Sequence, residues 1–260
     1  MRPSTSEDTD RVEWDFGTGG LVDRTGHGLR LEPPPGAPPP EPVAGALRFD
    51  GATYLIIPAD RVGPLHVARR GDRVSVLALV RRRGTRTGFV AGLWQEDDVD
   101  PRRQYGLFLS LPVYGGDQRV CGHVSADGRP SPGLPYSRDY AATARRLDVG
   151  RWQVAGFSYD GTVVRAYLDG ETDDHAEYTE PGPPLGQGLT YAKNPYRYPL
   201  GLNRSHVSDF TVGAVRLTAG MGNHFVGDLA RLLITPTALD PGTIRELSRA
   251  WLAERGDHEG

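Results

Sequence analysis

The chain has 260 residues, 38% of them hydrophobic, with a mean hydropathy of −0.45 and a formal net charge of −3. This composition suits a soluble globular protein, offers no global attraction for nucleic acid or anionic lipid, and contains no apolar run long enough to span a bilayer. A single cysteine, Cys121, excludes an intrachain disulfide. In chain order, residues 1–10 (MRPSTSEDTD) read as a disordered leader without an apolar signal core. Arg11–Phe16 reads as a short strand, followed by the turn Gly17–Gly20 and a loop containing Asp23. Seven prolines between Pro33 and Pro42 remove too many donors for a sheet interior and predict a stiff surface loop. Further strands are expected at Leu47–Asp50, Tyr54–Ile57, Arg73–Arg83, Thr87–Gln95, Gln104–Leu111 and Arg119–Ser125. Residues 127–147 and 171–206 are loop-like, the second rich in Pro, Gly and aromatics. Strands resume at Asp209–Leu217 and His224–Ile234.

Between the two loops lies the clearest pattern. Trp152, Val154, Gly156 and Ser158 alternate with Gln153, Ala155, Phe157 and Tyr159, and Asp160-Gly161 then predicts a type I′ turn. Val163–Leu168 alternates again and stops at a second turn dipeptide, Asp169-Gly170. The C-terminus predicts a helix with Asp240 as N-cap, Pro241 in the first turn, and Ile244, Leu247 and Trp251 on one face. Together these elements predict an all-β, two-sheet antiparallel sandwich of jelly-roll type with one short C-terminal helix, as a single domain over residues 11–255.

The Trp-opened strand, Tyr159-Asp160-Gly161, the strand bearing Tyr167, and Asp169-Gly170-Glu171 resemble the core hairpin of laminin-G-like domains of the concanavalin A-like lectin/glucanase superfamily. In family order, Phe49-Asp50-Gly51, Val74–Val80, Phe210–Ala214 and Phe225–Ala230 resemble other strands of that family. The resemblance implies a concanavalin A-like fold and recognition of a carbohydrate or similar small-molecule ligand. It also implies a structural Ca²⁺, for which Asp23 and Asp228 stand at matching places. No motif for an organic cofactor is present.

Aromatic faces stack on the C–H faces of sugars, while Asn, Arg and Asp bind hydroxyls in pairs. On that chemistry the candidate ligand residues are Tyr191, Tyr196, Tyr198, Asn203 and Arg204 of the second loop, with Trp94, Tyr105 and Tyr140. The same loop contains Lys193, the only lysine among 30 basic residues. Should the protein be an enzyme, His206 oriented by Asp209 is the candidate acid or base. Glu13-Trp14-Asp15-Phe16 resembles the start of the retaining-glucanase signature, but Gly17 replaces the second glutamate that the reaction needs. The clusters Arg69-Arg70, Arg81-Arg82-Arg83 and Arg102-Arg103 read as solvated strand ends rather than a nucleic-acid surface. Three function classes follow: lectin-like binding first; a hydrolase, lyase or isomerase/cyclase acting on a sugar or small metabolite second; a structural or protein-interaction module third. A cytoplasmic location is expected if the chain is complete, and secretion if a leader was trimmed.

Overall fold

The computed structural model describes residues 10–18, 20–131, 136–175, 177–184, 186–205 and 207–256. The expected leader therefore lies outside the described residues except for Asp10, and so does His206. The described chain forms two main antiparallel sheets packed face to face, with one α-helix outside them.

The strand Trp152–Tyr159 shows how the layers arise. Ala155, Phe157 and Tyr159 point into the interior, and Trp152 and Val154 point to the opposite face. The strand Val74–Arg82 repeats this, with Val74, Val76, Ala78 and Val80 inside and Leu77 and Leu79 outside. Both faces are apolar because both are covered. These strands are central in an eight-stranded sheet. Its order runs Tyr196–Arg197, Val163–Leu168, Trp152–Tyr159, Val74–Arg82, Val226–Thr235, Ala46–Asp50, Glu41–Val43, and Val12–Asp15 pairs with the second half of Val226–Thr235. The facing six-stranded sheet has the order Tyr140–Ala142, Gly116–Val124, Tyr105–Leu111, Gly88–Leu93, Phe210–Val212, Leu55–Ile57. Trp14 of the first sheet stacks on Phe210 of the second at 5.8 Å between centroids, one of the contacts that join them.

The helix Pro241–Gly256 starts as expected: the Asp240 carboxylate accepts the N–H groups of Gly242 and Thr243 at 2.8 and 3.1 Å. Ile244 and Trp251 are buried against Leu77, Leu79, Trp152, Val154 and Leu233, covering the outer face of the eight-stranded sheet. We therefore call that sheet the helix-side sheet. The outer face of the other carries residues of the two long loops, Ser137 and Tyr178, together with Val215 and Leu217, and we call it the loop-side sheet. None of the described helices is long and apolar enough to cross a membrane.

Three local expectations are corrected. The type I′ geometry sits at the second turn, where Asp169 (φ 57°) and Gly170 (φ 80°) connect Leu168 to Glu171. In the first turn only Gly161 has positive φ, and the Asp160 carboxylate holds the chain by accepting the N–H groups of Thr162 and Val163. Glu41–Val43, expected in a proline-rich loop, is an edge strand on Ala46–Asp50; Pro42 is tolerated there because an edge leaves one side of the backbone unpaired. Tyr140–Ala142, expected within a loop, pairs with Cys121–His123 as the edge of the loop-side sheet.

Candidate functional site on the loop-side sheet

On the strand Gly116–Val124, Val120 and Val124 face the core, while Cys121 and His123 face outward. Pairing places His123 beside Tyr140 on one side and Gly106 on the other, and Gly106 lies opposite Gly92. The bare backbone at Gly106 is roofed by rings: a Cβ there would lie 3.0 Å from Phe108 and Phe89 and 3.5 Å from Trp94. Trp94 packs on His123 at 4.3 Å between centroids, and His123 on Tyr140 at 5.4 Å. This face of the sheet is thus an aromatic floor, not an open groove.

The second loop folds onto the end of that floor. Lys193 is tied through its backbone, with its N–H donating to His175 O at 2.9 Å and its carbonyl accepting from Ala142 N at 2.9 Å. Asn194 stitches the loop to the next sheet, accepting from Ala166 N and donating to Ala166 O and Asp173 O. The Lys193 side chain is 0% exposed. Its ammonium nitrogen sits 3.2 Å from the Tyr140 ring centroid, and 5.2, 5.7 and 5.8 Å from those of Tyr196, Tyr191 and Tyr178. It donates to Arg138 O at 3.0 Å and, among the described residues, makes no ion pair. Burial drives its pKa well below the usual lysine range, with Arg138 pushing the same way. The ring faces supply the compensating attraction.

Around this cage the tyrosines form a ladder of edge contacts: Tyr114–Tyr178 at 6.3 Å, Tyr178–Tyr191 at 5.6 Å and Tyr191–Tyr196 at 5.8 Å. Tyr191 and Tyr196 are half-buried, and Tyr136, 64% exposed, stands nearby. Arg138 pairs with the fully buried Glu180 and lies over the Tyr191 ring. Asp139 accepts from the hydroxyls of Ser131 and Ser137, and Ser137 also bonds His123 Nε2 at 3.1 Å. Burial, reinforced by Arg103 and Lys193, lowers the His123 pKa well below the ordinary histidine range and keeps the ring neutral. Several donors here lack acceptors: the Tyr191 hydroxyl, and Nε and Nη1 of the buried Arg103, whose guanidinium lies 5.7 Å from the Trp94 ring. Buried donors are normally satisfied, so these atoms are exceptions within the cluster.

The structure brings together some expected residues and separates others. Tyr140, Tyr191 and Tyr196 meet around Lys193, with Trp94 on the same face. Tyr105 faces the interior instead, and its hydroxyl donates to Leu65 O at 2.9 Å. Tyr198 also turns inward, packing on Tyr159 and accepting from Ala126 N at 2.9 Å. Asn203 is buried and holds loop backbone through Arg103 O and Ser205 N. Arg204 pairs at the surface with Asp72. Asp209, the expected partner of His206, accepts from Ala59 N at 2.8 Å and caps a helical turn. Sequence reading passed over Arg103, His123, Arg138, Asp139, Tyr178 and Glu180. Lys193 carried the one usable signal, as a sole lysine flanked by Tyr191 and Tyr196.

The two aspartates expected to hold calcium are both met by donors of the chain itself. Asp23 Oδ1 accepts from the Thr25 N–H and hydroxyl and from His27 N, and Oδ2 from Leu29 N, so the carboxylate closes its own loop. Asp228 is met by the guanidinium groups of Arg48, Arg81 and Arg83 at 2.9–3.0 Å, which repel a cation. The acidic stretch after Trp94 is a turn in which Asp97 accepts from Val99 N and Asp100 N. Among the described residues no group of three or more His, Cys, Asp or Glu could hold a metal. Melting with and without EDTA tests the calcium expectation: a midpoint that falls and is restored by CaCl₂ would establish a bound calcium, and an unmoved midpoint would count against one.

Lys193 gives a pH signature. Because its folded pKa is depressed, the unfolded chain binds more protons between the folded pKa and the ordinary value near 10.4, so stability rises with pH across that window. Lys193→Met should flatten the rise. Chemical denaturation of both proteins from pH 7 to 10 checks this, and parallel curves would contradict it.

The two sheets and their order define the fold class, an antiparallel β-sandwich of jelly-roll type, and the likenesses to solved structures show that fold. The chain is similar to domain 4 of AbnA, a GH43 extracellular arabinanase from Geobacillus stearothermophilus solved with arabinotriose, at 16% identity and TM-score 0.51 over 91% of this chain and 97% of that one. It is similar to the binding domain of botulinum neurotoxin DC in complex with SialylT, at 10% identity and TM-score 0.58, covering 94% of this chain and 52% of that one. A third similarity is to Trypanosoma rangeli sialidase in complex with sialic acid, at 14% identity and TM-score 0.53, where the match covers 91% of this chain but only 32% of the sialidase. No protein-family model matches the sequence, and no curated protein matches it.

Proposed function

We propose that the loop-side face binds a carbohydrate or related polyhydroxyl ligand without transforming it. The observation that carries this reading is the tyrosine ladder bordered by Arg138 and Asp139. Half-buried rings offer stacking surface, and the charged pair offers hydroxyl contacts beside it. Arabinotriose and sialic acid in the similar structures support the same ligand class. Asp209 is committed to a cap and His123 is kept neutral by burial, which favours binding over acid–base catalysis.

A second reading rests on Lys193 alone. An amine with a depressed pKa is a nucleophile or base near neutral pH, as enzymes use it. Its full burial under four rings argues against access by a substrate. The two readings separate in one set of measurements. In a glycan screen followed by titration, Tyr196→Ala should weaken the best ligand by roughly two- to twelve-fold, the equivalent of about 0.5–1.5 kcal/mol of lost stacking. The glycan should be recovered unchanged. Turnover abolished by Lys193→Met would instead establish the enzyme.

A further inference from the structure

Arg82 ends the strand Val74–Arg82 and, unlike its neighbours Arg81 and Arg83, is buried, with 2% exposure. It lies where the connection 83–87 crosses the segment 223–226. Arg83 N and Gly84 N both donate to Val226 O, at 2.9 and 3.3 Å, and Phe89 N donates to Asn223 O at 2.7 Å. Glycines permit the close crossing: a Cβ on Gly84 would lie 3.2 Å from Val226 Cβ, and one on Gly88 3.4 Å from Phe225 Cα. The crossing borders a solvent-open cavity of about 240 Å³ lined by Arg82, Arg86, Leu109, His224 and Phe225 among others.

The polar lining of this cavity is rich in donors. Arg82 Nη2 makes one long hydrogen bond, 3.4 Å to Arg86 O, while Nη1 is buried without an acceptor. His224 Nδ1 is likewise buried without a partner. Among the described residues neither Arg82 nor Arg86 has a carboxylate within ion-pair distance. The acid acting on Arg82 from a distance is Asp117, whose Oδ1 already accepts from Ser110 and Gln118. A buried guanidinium with a free donor is costly unless an anion meets it, and its planar fork suits a carboxylate or phosphate. We propose that this cavity is an oxyanion site, binding the carboxylate or phosphate group of a small ligand between Arg82, Arg86 and His224. It shares no residue with the tyrosine cluster and does not depend on what that cluster binds.

The test titrates inorganic phosphate, and separately acetate, into the full chain at constant ionic strength, with melting temperature and ¹⁵N–¹H spectra as readouts. Saturable shifts are expected at Arg82, Arg86 and His224, absent from a chloride control. Arg82→Met should weaken binding at least about tenfold and Arg86→Ala about threefold, consistent with loss of charge-assisted hydrogen bonds. Should Arg82→Met fail to fold, Arg86→Ala and His224→Ala carry the comparison, since both side chains are partly or fully at the surface. A response to phosphate alone or to acetate alone identifies which group the site takes. No saturable response to either, or binding unchanged in the variants, overturns the proposal.

Discussion

Asp228→Ala should destabilise the fold by about 3 kcal/mol, because it strands three guanidinium groups around a carboxylate that is itself fully buried. Arg81 and Arg48 are its direct cross-strand partners, so the cluster clamps three strands of the helix-side sheet. Burial alone would raise the Asp228 carboxyl, but the hydrogen bonds from Arg48, Arg83 and Arg81 outweigh it and hold its pKa below the ordinary value. The sign follows: a depressed carboxylate contributes stability above the unfolded pKa near 3.9 and loses it as pH falls through the folded pKa. Wild type should therefore lose stability steeply below about pH 4, and Asp228→Asn should show a shallower acid limb. Urea unfolding at pH 7 and pH 3 measures both effects. A midpoint unchanged by Asp228→Ala would mean that the arginines find other partners at no cost.

Trp251→Ala is expected to cost a similar amount, about 3–4 kcal/mol, through the cavity left between helix and sheet. The indole is 3% exposed and packs in the same cluster as Leu77, Trp152 and Ile244, with the Arg231 guanidinium 5.8 Å from its ring. Since the helix covers the helix-side sheet, away from the tyrosine cluster, glycan affinity should be unchanged at temperatures where the variant is folded. Thermal unfolding and a binding titration on the same sample check the pair. Loss of affinity in the folded variant would place the ligand near the helix.

The sandwich was legible because its central strands are long and their alternation is set by two apolar environments. Val74–Arg82 and Trp152–Tyr159 show it plainly, as do the capping Asp240 and the face formed by Ile244 and Trp251. Edge strands were harder. Tyr140–Ala142 and Glu41–Val43 have three residues each, too few to show a period, and one contains proline. The site was legible only as a composition. Tyr140, Tyr191 and Tyr196 lie close because Tyr140–Ala142 pairs at the sheet edge and Asn194 anchors the second loop to Ala166, and both facts belong to long-range pairing. Tyr105 and Tyr198 have the same chemistry but fall on the inward side, which depends on strand register and on the path of the loop. Arginine was the least legible residue. The run Arg81-Arg82-Arg83 read as solvated strand ends, yet alternation sends Arg81 and Arg83 to Asp228 on one face and Arg82 inward on the other.

The most direct measurement is a chemical-shift map of the chain titrated with the best ligand from a glycan screen that includes arabino-oligosaccharides and sialylated glycans. Binding at the loop-side face predicts saturable shifts at Tyr191, Tyr196, Arg138 and Asp139, with intermolecular contacts to the tyrosine ring protons and the glycan recovered intact. Shifts confined to other surfaces, or no saturable binding by any glycan in the screen, would contradict it.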